Sequence, residues 1–298
     1  MALDNSQVPW TEEQWARVKQ VIQEEASRAR VAATFLPLYG PLPPDTDFVP
    51  AGRISYGTPG ERPRMTIDDT TTILVPTLQV KVFLRGAQMA DPDMTSALQM
   101  FRRAANVLAR LEDAVVFTGQ AGPGQGPPDA NSATAHLPAI WEILGGQQSR
   151  GLLAADATAP RTAITAASAE ALGDALVGAV SDSVGQLEAN GHFGPFAVVL
   201  DQHFFTAVQT PNPGSLVLPQ DRIIPFLGGG SLLRSSTLPA SSGVVVALGG
   251  APVELVVATD VSLNFLQVTT DPMFVFRVFE KIVLRIKEPD AIVALRRS

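Results

Sequence analysis

Residues 91–119 read DPDMTSALQMFRRAANVLARLEDAVVFTG. Apolar side chains fall at Met94, Ala97, Leu98, Phe101, Ala104, Ala105, Leu108, Leu111 and Val115. This is the i, i+3, i+4, i+7 spacing of a helix that buries one face. Asp93 or Thr95 is placed to cap its first turn and Gly119 to close its last. At about 1.5 Å per residue, a helix from Thr95 to Thr118 spans roughly 35 Å, enough to be the backbone of a domain. Arg102, Arg103, Arg110, Glu112 and Asp113 are assigned to its exposed face, where solvent or a neighbouring subunit would meet them.

The chain on either side of this helix alternates between helix and strand signals. Residues 11–33 predict an amphipathic helix, with Thr11 and Gln14 as a capping box and Trp15, Val18, Val21 and Ile22 on its apolar face. Five prolines between 37 and 50 keep the next segment extended or turning. Strand patterns at 53–56 and 70–83 flank the polar stretch GTPGERPRMTIDD and predict a long hairpin arm that projects. Residues 119–129, GQAGPGQGPPD, form a loop whose prolines remove the amides a phosphate would need. A short helix is expected at 136–146, a longer one at 168–190 capped by Ser168, and another at 202–209. Strands are expected at 196–200, 223–226, 243–248, 252–258, 261–268 and 273–287. In the last, Phe274, Phe276, Val278, Ile282, Leu284 and Ile286 alternate onto one face, interrupted by Glu280. Arg277, Lys281, Arg285 and Lys287 form the other face.

Composition narrows the function classes. The 298 residues are 46% hydrophobic and 17% charged, against a usual charged share of about 25%. So few charges leave much surface to hide and favour subunit contacts. A net charge of −7 argues against nucleic acid as the main partner. With no cysteine, disulfides, thiol catalysis and cysteine zinc sites are excluded, and a reducing cytoplasm is compatible. No apolar run approaches the ~18 residues that cross a bilayer, and Asp4 without a basic n-region predicts no secretory signal. The three histidines, His136, His192 and His203, are not paired at metal spacing. Asp201 and His203 suit a structural role better than a catalytic one, and GxSxG and HExxH are absent. No enzyme activity and no metal or cofactor is expected.

Several ordered stretches carry a family resemblance. They are Pro9-x-Thr11-Glu12-x-Gln14-Trp15 and Gly40-Pro41; Ala109-x-x-Glu112-Asp113-x-Val115-Val116-Phe117-x-Gly119; Gly194-Pro195-Phe196; Val253-Glu254-Leu255 with Asp260-Val261-Ser262-Leu263; and the tail 274–295 with Glu288-Pro289-Asp290-Ala291. Together the chain resembles the encapsulins, shell proteins with the tailed-phage major capsid fold. The resemblance implies an α+β fold: a peripheral domain of spine helix and β-sheet, an extended β-hairpin arm, and an axial α/β domain. It divides the chain into an N-terminal helix and linker (1–47), the arm (48–77), peripheral domain with spine helix and inserted loop (78–157), axial domain (158–250) and C-terminal peripheral strands (251–298). It implies self-assembly into an icosahedral cytoplasmic nanocompartment. The cargo enzyme, such as a ferritin-like protein or a dye-decolourising peroxidase, would dock by a short C-terminal peptide. By position, Arg30, Phe35, Leu36 and Leu255 fall in the cargo-binding groove. The family's flavin-stacking tryptophan is missing from Lys81-Val82-Phe83-Leu84, so no flavin is expected. Residues 119–148 exceed the family's usual loop and read as an insertion. A phage or prophage capsid protein that packages DNA shares the fold and is the alternative; a soluble hydrolase is the third, with no motif behind it.

Overall fold

A computed structural model describes residues 7–56, 64–127, 137–154, 161–165, 171–211 and 217–297. The Thr95–Thr118 helix lies at its centre and buries nearly every side chain of its C-terminal half. Its start differs from expectation. Neither Asp93 nor Thr95 is the cap. Met94 holds that position in a left-handed conformation without a side-chain bond, and Asp91 accepts the amides of Asp93 and Thr95, each at 3.0 Å. Its end matches: Gly119 has φ +86°, and a Cβ there would sit 2.2 Å from the carbonyl oxygen of Ser149, so only glycine fits.

Against this helix packs a five-stranded sheet in the order Leu38–Tyr39, Val253–Val268, Met273–Ile286, Thr77–Arg85, Trp141–Leu144. All neighbours are antiparallel except the first pair. The expected strands at 252–258 and 261–268 are one strand, Val253–Val268, whose register shifts absorb the polar break at Thr259 and Asp260. The expected strand at 70–83 is two, Thr72–Leu74 and Thr77–Arg85, because Pro76 between them donates no ladder hydrogen bond. The short helix expected at 136–146 is instead an edge strand, Trp141–Leu144, paired with residues 77–80. The basic face of the Met273–Ile286 strand is partnered rather than bare: Lys281 pairs with Asp47 at 2.9 Å, Lys287 with Glu254 at 3.1 Å, and Arg285 also with Glu254.

A second five-stranded sheet runs Arg161–Ile164, Ile292–Arg297, Ser242–Ala247, Phe196–Leu200, Leu232–Arg234. Its last-made strand, Ile292–Arg297, follows the other late strands in sequence but pairs here with Ser242–Ala247 and Arg161–Ile164. Leu172–Ala189 and Gln202–Gln209 are helices, as their spacing predicts; Ser168, expected as a cap, lies outside the described residues. The strand expected at 223–226 is helical. Pro219 opens the turn Pro219–Ile223, which tightens into the 3-10 turn Ile224–Leu227. Asp201 caps Gln202–Gln209 by accepting the amides of His203 and Phe204 and also takes that of Ser241. Its carboxylate is thus occupied by backbone.

The arm is a hairpin, Arg53–Tyr56 antiparallel to Met65–Asp68, continued at its base by Phe48–Pro50 with Thr72–Leu74. Its tip, 57–63, lies outside the described residues. No described helix is long and apolar enough to cross a membrane.

Candidate functional site

The helix expected over 11–33 ends at Ala29 and resumes as Ala32–Phe35. The capping box of Thr11 and Gln14 is present. The break has a cause at the spine helix. Asp113 accepts the amides of Val31, at 2.9 and 3.0 Å, and of Ala32, at 2.7 Å, so these donors are satisfied without a continuous helix. The chain then turns through Pro37 into the short edge strand Leu38–Tyr39, parallel to residues 255–256. Gly40 follows with φ +141°, and a Cβ there would lie 2.2 Å from the carbonyl oxygen of Val257.

A cavity of about 200 Å³ opens between this segment and the Val253–Val268 strand. Ala33, Leu38, Pro41, Leu255, Val257 and Ile282 give it apolar walls; Arg30, Glu112 and Asp260 are its polar lining. Of the four residues assigned to a groove from sequence, Arg30 and Leu255 line it. Phe35 and Leu36 do not line it; both are buried in the core, at 9% and 3% exposure. The exposed apolar surface at the mouth is supplied by Leu38, which sequence reasoning passed over, while Tyr39 beside it is covered on one face by the Arg285 guanidinium 4.3 Å from the ring centre. The edge of Leu38–Tyr39 away from Val253–Val268 has no strand beside it among the described residues.

The floor of the cavity is charged. Glu112 and Asp113, expected on the exposed face of the spine helix, are 0% and 1% exposed. That expectation is corrected: the periodicity that marks the apolar face does not distinguish a solvated charge from a buried one. Glu280, the interruption in the apolar face of the Met273–Ile286 strand, is 1% exposed and joins them. Arg30 approaches Glu112 at 3.9 Å and Asp260 at 3.1 Å. Burial pushes the Glu112 carboxyl up to about 7, against the opposing pull of Arg30. Burial and the charge of Glu112 push Asp113 up to about 8, despite the amides of Ala32 and Val31. Burial and Glu112 likewise hold Glu280 well above the usual carboxylate range. Burial lowers Arg30, but Glu112, Glu280 and Asp260 outweigh it and keep the guanidinium charged. One partly buried cation thus faces three buried carboxyls that cannot all ionise together near neutrality.

Beside this cluster the aromatic core is self-contained. Trp10 stacks on Phe276 at 5.0 Å, and Phe101 meets both edge-on at 6.1 and 5.4 Å. Among the described residues one group brings potential metal ligands together, His192 with Glu288 and Asp290, at the turn that leads into the second sheet.

The family described as encapsulating protein for peroxidase (Linocin_M18) matches residues 1–126 and 131–283. The type 1 encapsulin shell protein EncA of Myxococcus xanthus is 27% identical over 307 residues, covering 98% of this chain and 96% of EncA. The virus-like particle of Pyrococcus furiosus superposes with a TM-score of 0.64 at 15% identity, over 96% of this chain and 100% of its own. The mature capsid of bacteriophage PhiM1 superposes at 0.50 and 15% identity, over 88% and 85%. The fold is therefore the capsid fold shared by phages and encapsulins, and the family match, which takes in the spine helix, the arm and the charged cavity, decides between them: the chain belongs to the encapsulin shell-protein family.

Proposed function

We propose that this chain assembles with copies of itself into a closed icosahedral nanocompartment in the cytoplasm, and that the compartment holds an enzyme cargo. The observation that carries this is the family match across almost the whole chain, spine helix and arm included. The arm supports it independently. Phe48, Met65, Ile67 and Leu74 are 60%, 70%, 65% and 42% exposed on its hairpin and base, apolar surface that a neighbouring subunit would cover. Residues 1–47, 78–157 and 251–298 form the peripheral domain, 48–77 the arm, and 158–250 the axial domain that gathers at symmetry axes. The chain is a structural protein, with no catalytic residue assigned.

The cargo, a ferritin-like protein or a dye-decolourising peroxidase, docks by a C-terminal peptide at the cavity of Arg30 and Leu255. Leu38 offers the peptide an apolar contact, the open edge of its strand offers backbone hydrogen bonds, and Arg30 faces a peptide carboxylate. Negative-stain microscopy of the chain expressed alone tests the shell: closed particles of uniform diameter support it and dispersed monomers overturn it. Arg30→Glu with Leu38→Asp tests the dock: shells should form yet retain less than about a tenth of a co-expressed tagged cargo, a loss of ~1.4 kcal/mol or more.

The capsid fold is also that of DNA-packaging phage particles. Particles free of nuclease-protected DNA exclude that second reading.

A further inference from the structure

The residues that follow the Leu172–Ala189 helix meet the turn Pro289–Ala291, which precedes the strand Ile292–Arg297. Asn190 closes the helix, Gly191 reverses the backbone at φ +91°, and the amide of His192 returns to the carbonyl of Leu187 at 2.9 Å. Asn190 Nδ2 donates to the carbonyl oxygen of Asp290 at 3.3 Å. The imidazole of His192 is fixed between the two elements, 8% exposed. Its Nε2 lies 3.2 Å from Asp290 Oδ1, but out of line for a hydrogen bond, and has no hydrogen-bond partner among the described residues. Glu288 completes the group: one ligand atom from each of His192, Glu288 and Asp290 falls within 4.8 Å of the others.

We propose that His192, Glu288 and Asp290 form a binding site for a divalent first-row transition cation of the zinc type. A nine-tenths buried imidazole whose Nε2 faces a carboxylate but makes no hydrogen bond calls for a partner, and a cation between the two supplies one. Two ligands of a tetrahedral ion bonded at about 2.0–2.2 Å stand roughly 3.4 Å apart, close to the 3.2 Å between Nε2 and Oδ1. The remaining span closes by rotation of Glu288 and Asp290, both half-buried and free to move their carboxylates. One imidazole with two carboxylates suits zinc, iron or manganese rather than calcium or magnesium, which take oxygen alone. Three protein ligands leave water in the remaining position. Bound there, the ion fastens the end of the Leu172–Ala189 helix to the turn preceding Ile292–Arg297, a cross-link between segments about a hundred residues apart.

The test uses intact shells stripped with EDTA and dialysed against Zn²⁺, with metal counted by mass spectrometry and the midpoint followed by calorimetry. About one zinc per subunit and a midpoint that rises with zinc are expected. His192→Gln should weaken zinc binding at least tenfold. Glu288→Gln with Asp290→Asn changes only half-buried groups, so it provides the same readout with the histidine and the fold in place. Zinc retained at unchanged stoichiometry and affinity in the double variant overturns the site, as does a failure of the unsubstituted shell to bind zinc.

Discussion

Asp113 Oδ1 accepts the amide hydrogen of Ala32 at 2.7 Å, across the interface between the spine helix and the N-terminal segment. With the Val31 amide on the same carboxyl, one side chain both ends the first helix and starts the next. Asp113→Ala strands one buried and one partly buried donor at ~1–2 kcal/mol each. Urea unfolding of the dissociated subunit should record a loss of about 2–4 kcal/mol. Asp113→Asn keeps an acceptor and should lose less than half of that; equal losses for the two variants would mean that packing, not the amides, sets the cost.

Carboxyls in an unfolded chain titrate near ~4, whereas burial raises Glu112 to about 7, Asp113 to about 8, and Glu280 in the same direction. Between about 4 and 8 the folded subunit therefore binds more protons than the unfolded one, and the stability these groups contribute falls as pH rises through that window. The thermal midpoint should decline from pH 5 to pH 8.5. Glu280→Gln, which keeps the protonated group's shape without its titration, should flatten the decline. A slope left unchanged by the substitution would remove this cluster as its source.

Phe101 is 0% exposed and meets Trp10 and Phe276 edge-on. Phe101→Ala should cost about 3–5 kcal/mol, and Phe101→Leu a smaller amount. Because Trp10 rests on these rings, its emission, read with Trp15 and Trp141 replaced by Phe, should shift to the red in the alanine variant; an unshifted spectrum would show that Trp10 keeps its burial without them.

Arg102 and Arg103 are exposed on the spine helix, in contrast to Glu112 and Asp113 below them. Reversing both to glutamate should leave the subunit folded by circular dichroism while closed particles fall at least tenfold by size exclusion. Particles formed in undiminished yield would return these arginines to plain solvent-facing residues.

The elements legible in sequence are those whose signal is local and long. The spine helix, the first helix with its capping box, and the alternating Met273–Ile286 strand follow from periodicity alone. Short apolar runs were ambiguous. WEIL at 141–144 is a strand because residues 77–80 offer an edge, and IIPF at 223–226 is helical because Pro219 and the chain around it set the turn. The buried charges were illegible for a different reason: the partners of Glu112 and Asp113 are Arg30, Glu280 and two backbone amides, all far away in sequence. Of Arg30, Phe35, Leu36 and Leu255, which the family resemblance singles out, only Arg30 and Leu255 line the cavity, and its other lining residues Leu38 and Asp260 are brought there by strand pairing that no local pattern announces. His192 had no metal spacing in sequence because its carboxylates come from another segment.

The strand Ile292–Arg297 sits between Arg161–Ile164 and Ser242–Ala247, the second place in its sheet. On a ribosome, every other strand of that sheet emerges before it, yet Arg161–Ile164 has no other strand partner among the described residues. The sheet stays open until this last strand is translated, and a half-made subunit presents an incomplete surface to its neighbours. Contacts so distant in sequence also form late in folding. Any contact that depends on the finished sheet therefore waits for residues 292–297 to leave the ribosome.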